Sequence, residues 1–404
     1  MRIECEKEIH STGGQGLYIL NKAETALDDL IARYEGKIQL IYLDPPFGTG
    51  DTFSVRLRDA ARSVKVPVYS DLLTGDEYDR WIRTILAGCH ALLNPTGSIY
   101  VHVDYRESAR IRMILDELFG EKNFMNEIIW SYKSGGRSTR YFPRKHDTIL
   151  FYRKSPSVFF DLSPIGKPRG PEKRNHMKRY IDENGRICFS IKSGGKTYYY
   201  TEDTPVYPTD VWTDIEHLQQ KDSERTGYST QKPEALLRRI ILSSSRPGDL
   251  VADLFAGSGT AAAVSRKEGR KYIAVDSSGF SMMTFRKRIL KDAENQSFPV
   301  EDRSISQSGE MSICYPPYQG DAGIEYELIR GKNDMEVRLL NAGFDNVYPI
   351  SYVAAGKMDE SGGFHPLAWE TSIRFPLRIR IPNMIDPVLQ IADAEGKQAF
   401  FTIE

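Results

Sequence analysis

The chain has 404 residues, of which 40% are hydrophobic, and its formal net charge at pH 7 is -1. This length and apolar content predict a globular protein with two or three compact units. No apolar stretch reaches the length of a membrane span and the first residues lack the order of a signal peptide, so a cytoplasmic location without membrane contact is expected. The four cysteines are too widely spaced for a paired ligand motif, so no metal site is predicted.

Strand and helix patterns alternate over residues 1–155. Apolar runs predict strands at 38–43, 98–104 and 148–152, and apolar positions at helical spacing predict helices at 77–93 and 107–119. Asn94-Pro95-Thr96-Gly97 is expected to end the first helix, and Gly120 is expected to cap the second. Alternation of this kind predicts a mostly parallel sheet.

The pattern changes twice in the rest of the chain. Residues 156–227 are rich in Gly, Pro, Lys, Arg and Tyr without clear periodicity, which predicts an inserted recognition region. Alternation resumes over 228–295, where Pro233 suits a first helical turn and Pro247-Gly248-Asp249 ends the helix. Alternating apolar residues after that predict a separate β-rich domain at 296–404, to which no chemistry is assigned.

The first chemical motif is Asp44-Pro45-Pro46-Phe47, which directly follows the strand at 38–43. In an open α/β sheet this position lies at the carboxyl edge, where ligands bind. Prolines remove backbone donors and fix φ, so the Asp44 carboxylate and the Pro45 carbonyl are predicted to be rigid acceptors for the two hydrogens of an exocyclic amine. Phe47 is predicted to stack on the base that carries the amine. Taken alone, the tetrapeptide also fits a plain proline turn after a core strand.

The second motif is a strand, a glycine turn and a helix beginning at Asp253, with an acid at the end of the next apolar run, Asp276. Gly257 and Gly259 let the backbone turn sharply near a ligand, and the following helix offers its first amides. Asp276 can accept both hydroxyls of a ribose. A nicotinamide dinucleotide and a simple strand-turn-helix junction compete for this pattern, but together with the first motif it favours S-adenosylmethionine.

Basic residues are concentrated between the two motifs. Residues 133–179 contain thirteen Lys or Arg and three Asp or Glu, so this segment can neutralise phosphates although the whole chain is nearly neutral. An ordinary solvated surface explains the same charges equally well. The predicted DNA contacts are Lys133, Arg137, Arg140, Arg144, Lys145, Lys173 and Arg174.

The stretches LDPPFGTG, KHDTILFY, STQKPEALLRRII and DLFAGSGT, in this order, resemble the amino-methylating DNA methyltransferases of bacteria. The order matches the β group, in which the catalytic tetrapeptide precedes the recognition region and the cofactor motif follows. The resemblance covers about 16–152 and 228–290. It implies an α/β fold: a Rossmann-like S-adenosylmethionine-dependent methyltransferase sheet with helices on both faces, an inserted target-recognition region and a C-terminal β-rich domain. Residues 1–155 would form the catalytic half and 228–295 the cofactor-binding half.

The resemblance also implies roles for individual residues. The Asp-Pro-Pro-aromatic motif, Asp44, Pro45, Pro46 and Phe47, would grip the target amine, and an initial Asp is more typical of methylation at adenine N6. Asp276 would bind the ribose. The other implied contacts to S-adenosylmethionine are Asp253, Phe255, Ala256, Gly257 and Gly259, with Thr230, Lys232 and Pro233 beside its methionine part.

Several functions compete with site-specific adenine methylation in double-stranded DNA by base flipping. They are N4 methylation of cytosine, methylation of RNA or of a protein amide, a catalytically idle nucleic-acid-binding protein, and a nicotinamide dehydrogenase. The permuted order and the basic insertion favour DNA, and the intact Asp44 and glycines favour catalysis. A restriction or helicase-like subunit and a homodimer remain open as partners, in a bacterial or archaeal cytoplasm.

Overall fold

One large mixed sheet runs through the protein, and its central strands carry the two predicted motifs. The computed structural model describes residues 2–3, 7–11, 15–47, 52–58, 63–70, 73, 75–133, 138–172, 176–228, 230–295, 310–314, 322–344, 350–371, 373, 375–393 and 397–403. The helices are α1 Ala23–Tyr34, α2 Gly75–Leu92, α3 Ser108–Phe119, α4 Glu234–Ser244, α5 Thr260–Lys267 and α6 Gly279–Asn295, with short 3-10 turns at Glu121–Asn123 and Ser163–Ile165.

The strands of the described residues fall into five sheets. The first strands are β1 Arg2–Ile3, β2 Lys7–Ser11, β3 Gly16–Leu20, β4 Ile38–Leu43, β5 Thr52–Arg58, β6 Ser63–Ser70, β7 Leu93–Val103, β8 Phe124–Ser131 and β9 His146–Arg153. The next strands are β10 Lys167–Pro168, β11 Lys178–Ile181, β12 Ile187–Ser193, β13 Lys196–Thr201, β14 Pro205–Val206, β15 Val211–Trp212, β16 Leu250–Asp253 and β17 Lys271–Asp276. The last strands are β18 Glu310–Cys314, β19 Ala322–Arg330, β20 Asp334–Phe344, β21 Ile350–Met358, β22 Phe364–Glu370, β23 Leu377–Pro382, β24 Val388–Asp393 and β25 Gln398–Thr402.

The centre of the large sheet is parallel, as the alternation predicts. Its order includes the run β18-β3-β17-β16-β4-β7, in which every neighbouring pair is parallel. Beyond β7 the sheet continues with β9 and β8, each antiparallel to its neighbour. Strands β4 and β16 are adjacent, with Val251 opposite Leu40, so the residues that follow them emerge side by side at the carboxyl edge.

Helices cover both faces of this centre, which confirms the predicted fold class. Side chains alternate along β4: Ile41 and Leu43 pack in the cluster formed with α1, α2 and α3, whereas Leu40 and Tyr42 pack in the cluster formed with α4 and α5. Because successive side chains of a strand point to opposite faces, both faces of β4 are apolar. In the described part of the chain, no helix is long and apolar enough to cross a membrane.

The tetrapeptide 94–97 directly follows the end of α2, as predicted, and belongs to the next strand. Helix α2 ends at Leu92 and β7 begins at once, and Leu93 pairs with Ile38 while Ser98 pairs with Leu40. The residues between therefore bulge out of the ladder. The side chain of Gln39 holds the bulge, because its Nε2 donates to the Thr96 carbonyl at 3.0 Å and its Oε1 accepts from the Thr96 hydroxyl at 2.8 Å.

The insertion contains regular structure that the composition did not predict. Strands β11, β12 and β13 form an antiparallel sheet, and Ser193 pairs with Lys196 across a two-residue loop. Both loop residues, Gly194 and Gly195, have positive φ, at 55° and 78°. Gly-Gly is a strong hairpin signal, so the sequence carried this information.

The C-terminal residues are β-rich, as predicted, and they continue the large sheet. Strand β18 pairs in parallel with β3, and β21, β22, β24 and β25 extend the same sheet. Tyr352, Phe364 and Phe400 share a hydrophobic cluster with Met282 and Phe285 of α6. The predicted boundary at 296 therefore lies between stretches of chain whose side chains share a core.

Candidate active site

A cavity of about 520 Å³ opens at the carboxyl edge, where β4, β16 and β17 end. This volume is in the usual range for a small-molecule site. Both motifs contribute to its wall, together with the segment before α4. The predicted residues that line it are Asp44, Pro45, Pro46, Phe47, Thr230, Lys232, Asp253, Phe255, Ala256, Gly257 and Asp276.

The two carboxylate oxygens of Asp44 have different surroundings. Oδ2 accepts a short hydrogen bond from the Nζ of Lys232, and both side chains are largely buried, at 17% and 14% exposure. Oδ1 is buried, and no described residue donates a hydrogen bond to it. A buried acceptor without a donor is costly, by about 1–3 kcal/mol, so this oxygen is available for a ligand that brings an N–H or O–H group.

The rest of the tetrapeptide is fixed around this carboxylate. The Tyr78 hydroxyl of α2 donates to the Pro46 carbonyl at 2.8 Å. Among the described residues, no donor reaches the carbonyl of Pro45. Phe47 lines the cavity and packs against the cluster formed with α1, α2 and α3. Residues 48–51, which follow Phe47, lie outside the described residues.

The glycine turn has the conformation that its sequence predicts. Gly257 and Gly259 have φ of 51° and 72°, in the left-handed region that favours glycine. A Cβ on Gly259 would lie 2.5 Å from the ring of Phe285, so the close approach also requires glycine. The backbone N–H of Phe255 donates to the Asp253 carboxylate at 3.0 Å, which holds the start of the turn.

Asp276 lies at the tip of β17, next to the glycine turn. It accepts the backbone N–H groups of Gly257 and Ser278, each at 2.8 Å. Burial raises its pKa to about 6. The Ser281 hydroxyl also interacts with this carboxylate. A carboxylate has about four acceptor positions, so it can still accept from a hydroxyl group of a ligand.

Burial raises the pKa of Asp253 to about 8, and the nearby Asp44 and Asp276 add to this effect. Among the predicted site residues, three carboxyl groups and one ammonium group line the cavity: those of Asp44, Asp253, Asp276 and Lys232. At neutral pH the Asp253 carboxyl is mostly protonated, which limits the repulsion among the three.

The segment before α4 has a contact that the sequence did not predict. Thr230 and Lys232 line the cavity, whereas Pro233 has an extended backbone and precedes the first residue of α4. Lys232 was expected beside the cofactor, and the structure pairs it with Asp44 across 188 positions of sequence. This ion pair joins the two halves of the site.

Several aromatic side chains of the cavity were not predicted as site residues. Trp81 of α2 lies 5.6 Å from the ring of Phe255, and its indole N–H donates to Glu24 at 3.2 Å. Tyr78 and Tyr228 also line the wall. Tyr78 and Trp81 belong to the apolar stripe that predicted a helix, and their position at its start, near the sheet edge, was the available signal.

A buried polar chain leads from the cavity wall along the neighbouring strands. The Tyr42 hydroxyl contacts the Nδ1 of His102 at 2.9 Å, and the Nε2 of the same ring contacts Asp147 at 3.1 Å. The Tyr132 hydroxyl donates to the other oxygen of Asp147, at 3.1 Å. Burial opposes the ionisation of Asp147 and is the largest single effect, but the hydrogen bond and charge of His102, the charge of Lys232 and the hydrogen bond from Tyr132 together outweigh it, so the pKa of that carboxyl lies below its usual range.

The predicted DNA contacts do not line the cavity. Lys133, Arg140 and Arg144 are exposed, and Lys145 is half-buried. The ammonium of Lys133 lies 3.6 Å from Glu216. The other predicted contacts, Arg137, Lys173 and Arg174, lie outside the described residues.

The chain is similar in sequence to a family of DNA methylases and to individual methyltransferases. A family model of the N6/N4 methyltransferase type, described as DNA methylase, matches residues 38–287. Type II methyltransferase M.EcaI of Enterobacter cloacae is 30% identical over 319 residues, covering 67% of this chain and 68% of the relative. DNA adenine methyltransferase YhdJ of Escherichia coli (strain K12) is 29% identical over 279 residues, covering 66% and 82%. The solved M1.HpyAVI-SAM complex is similar with a TM-score of 0.42 and 18% identity, over 68% of this chain and 99% of that one.

Proposed function

The chain belongs to the N6/N4 DNA methylase family, and from this premise we propose that it methylates the N6 amine of adenine in double-stranded DNA. The coarser activity is that of a DNA amino-methyltransferase that uses S-adenosylmethionine. The observation that carries the proposal is the buried Oδ1 of Asp44, an acceptor without a described donor in the cavity wall.

The residues of the cavity fit the cofactor. Asp276 can accept from a ribose hydroxyl group, and the turn at Gly257 and Gly259 lets the backbone come close to a ligand. Phe255 and Trp81 offer an apolar wall for a ring. When bound, S-adenosylmethionine supplies a methyl carbon on a sulfonium, whose sulfur keeps the electron pair as the carbon bonds to nitrogen.

The tetrapeptide prepares the amine for this transfer. The lone pair of an exocyclic amine is delocalised into its ring, so the nitrogen is a poor nucleophile. Asp44 Oδ1 and the Pro45 carbonyl accept hydrogen bonds from its two N–H groups. These hydrogen bonds favour a pyramidal nitrogen with a free lone pair. When the nitrogen gains the methyl group, it must lose one of these hydrogens as a proton. The Asp44 carboxylate is in position to accept that proton. Phe47 stacks on the base and offsets part of the cost of unstacking it, a few kcal/mol.

Two observations favour adenine. The tetrapeptide begins with Asp, which is more typical of N6 methylation, and a relative that covers 66% of this chain is a DNA adenine methyltransferase. Methylation of cytosine N4 uses the same chemistry on a smaller ring and is the second candidate, because the matched family covers both amines. Activity on RNA or on a protein amide would require the same site to accept other backbones.

The deciding experiment expresses the chain in a host that lacks DNA methylation and maps modified bases by single-molecule sequencing. Methylated adenine in one recurring motif, absent from a matched culture that expresses Asp44→Asn, is the expected result. Modified cytosine in a recurring motif would show that the target is the N4 amine of cytosine and not the N6 amine of adenine. Unmodified DNA, with methyl transfer to RNA or protein extracts instead, would reject the DNA substrate.

A further inference from the structure

The 138–145 loop exposes two aromatic rings to solvent. Phe142 is 96% exposed and Tyr141 is 58% exposed. Burying a phenylalanine side chain is favourable by roughly 1.5–3 kcal/mol, so a nearly free ring leaves this free energy unused in the isolated protein. An exposed apolar group of this kind is a candidate for contact with a binding partner.

The loop is braced, so the rings are held in place. The hydroxyl of Ser138 accepts the backbone N–H groups of Arg140 and Tyr141 at 3.2 and 3.3 Å. The Arg144 guanidinium donates to the Tyr105 hydroxyl at 2.7 Å and lies 4.1 Å from the centre of that ring. The backbone before a proline favours an extended conformation, and Pro143 imposes this restriction on Phe142.

The sheet places this loop beside the active site. Strand β4 ends at Leu43 and leads into Asp44, its neighbour β7 leads into Tyr105 and Arg106, and Arg106 lines the cavity. Strand β9 is antiparallel to β7, with Thr148 opposite Val103. The start of β9 therefore lies at the carboxyl edge, and the loop that precedes it stands two strands from Asp44.

The charges around the two rings specify the partner. The 138–145 loop contains Arg140, Arg144 and Lys145 and no acidic residue. Lys133 is exposed as well. Aromatic rings among basic side chains match a stack of bases flanked by phosphates. An apolar protein surface would gain nothing from this charge.

We propose that Phe142 is a wedge that enters the DNA duplex beside the target base and takes the position in the stack that the flipped base leaves. Tyr141 packs beside it, and Arg140 and Arg144 contact the flanking phosphates. Apolar side chains that enter a base step in this way partly unstack the duplex. The inference rests on the proposed DNA substrate and adds the group that keeps the base in the cavity.

The test measures base unstacking separately from methyl transfer. The duplex contains the sequence motif that the enzyme methylates, with 2-aminopurine in place of the target adenine. Its fluorescence is recorded with saturating wild type, Phe142→Ala or Phe142→Trp. The fluorescence gain should be largely lost in Phe142→Ala and kept in Phe142→Trp, because an indole also stacks. Methylation of the ordinary duplex by Phe142→Ala should fall by roughly 10-fold to 100-fold. On a duplex whose target base faces an abasic site, which needs no wedge, the loss should be less than threefold.

Ile385→Ala is the matched control, since this side chain is 89% exposed in the C-terminal part and far along the chain from the loop. All three variants should keep the wild-type melting temperature. Equal fluorescence gains for wild type and Phe142→Ala would overturn the wedge, as would equal methylation losses on both duplexes. A fluorescence gain that wild type shows and Phe142→Ala lacks, without methyl transfer by wild type, would support the wedge and count against the proposed activity.

Discussion

At the scale of single residues, the site is organised by how its carboxylates are partnered. Asp44 has one oxygen on the Lys232 ammonium and one buried oxygen with no described donor. Removing its carboxylate would leave a largely buried ammonium without its partner, which is destabilising by as much as about 3–5 kcal/mol for a fully buried pair. A substitution that tests the chemistry must therefore keep an acceptor for Lys232.

Asp44→Asn meets this requirement, because the amide oxygen still accepts from Lys232. Its NH₂ group then faces the amine where Oδ1 stood, and a donor cannot replace an acceptor. We expect methyl transfer to fall by roughly 10²- to 10⁴-fold, the range of a positioned proton acceptor. Affinity for S-adenosylmethionine, measured by calorimetry, should change less than threefold. Asp28→Ala, on the exposed side of α1, is the control. Normal turnover by Asp44→Asn would refute the role of Asp44.

The pKa of Asp253 predicts a pH dependence of stability. Its folded pKa, about 8, lies above the unfolded value of an aspartate, about 3.9, so unfolding releases a proton between these two values. The free energy of unfolding should therefore fall as the pH rises through this window, by up to about 1.4 kcal/mol per pH unit. Asp253→Asn keeps the acceptor for the Phe255 N–H and does not titrate. Urea unfolding from pH 5 to 8 should give a flatter profile for this variant, and parallel profiles would contradict the pKa.

At the scale of elements, periodicity predicted the strands, helices and turns, because these depend on residues that are close together in the sequence. The strand Ile38–Leu43, the helix at Ser108–Phe119 and the glycine turn follow from local pattern, and the structure has them. Contacts between distant residues could not be predicted this way. Asp147 lies next to the predicted strand 148–152, but its partner His102 comes 45 positions earlier in the chain. Lys232 likewise meets Asp44 only because β4 and the segment before α4 reach the same sheet edge.

The close packing of Gly259 at the start of α5 can be tested by comparison with Gly248, which has a similar backbone conformation but open surroundings. Gly259 and Gly248 have φ of 72° and 87°, and a Cβ would meet Phe285 at 2.5 Å at the first position and nothing within 4 Å at the second. Gly248→Ala should lose about 1–2 kcal/mol of unfolding free energy from backbone strain alone. Gly259→Ala should lose a further 1–3 kcal/mol, roughly, from overpacking, and should also weaken S-adenosylmethionine binding. Equal losses would show that Phe285 moves aside freely.

At the scale of the whole molecule, the C-terminal part shares its core with the methyltransferase sheet. Met282 and Phe285 of α6 are buried in one cluster with Tyr352, Phe364 and Phe400. A chain that ends at residue 295 should therefore expose this side of α6 and lack β18, one of the two parallel neighbours of β3. We expect it to aggregate or to unfold without cooperativity in urea. A soluble 1–295 chain with the wild-type melting temperature would establish 296–404 as an independent domain.

The distribution of charge over the molecule sets the last prediction. The net charge of -1 gives no overall attraction to DNA, so the affinity must come from local basic residues that release counterions. Replacing Lys133, Arg140, Arg144 and Lys145 by Ala should lower the slope of log affinity against log salt by about 0.9 for each phosphate contact that is lost. Fluorescence anisotropy with a labelled duplex measures this slope. Replacing Arg378 and Arg380 of β23, which face Glu336, should leave the slope unchanged. A change in both variants would mean that DNA responds to total charge, and the edge beside the cavity would then have no special role in binding.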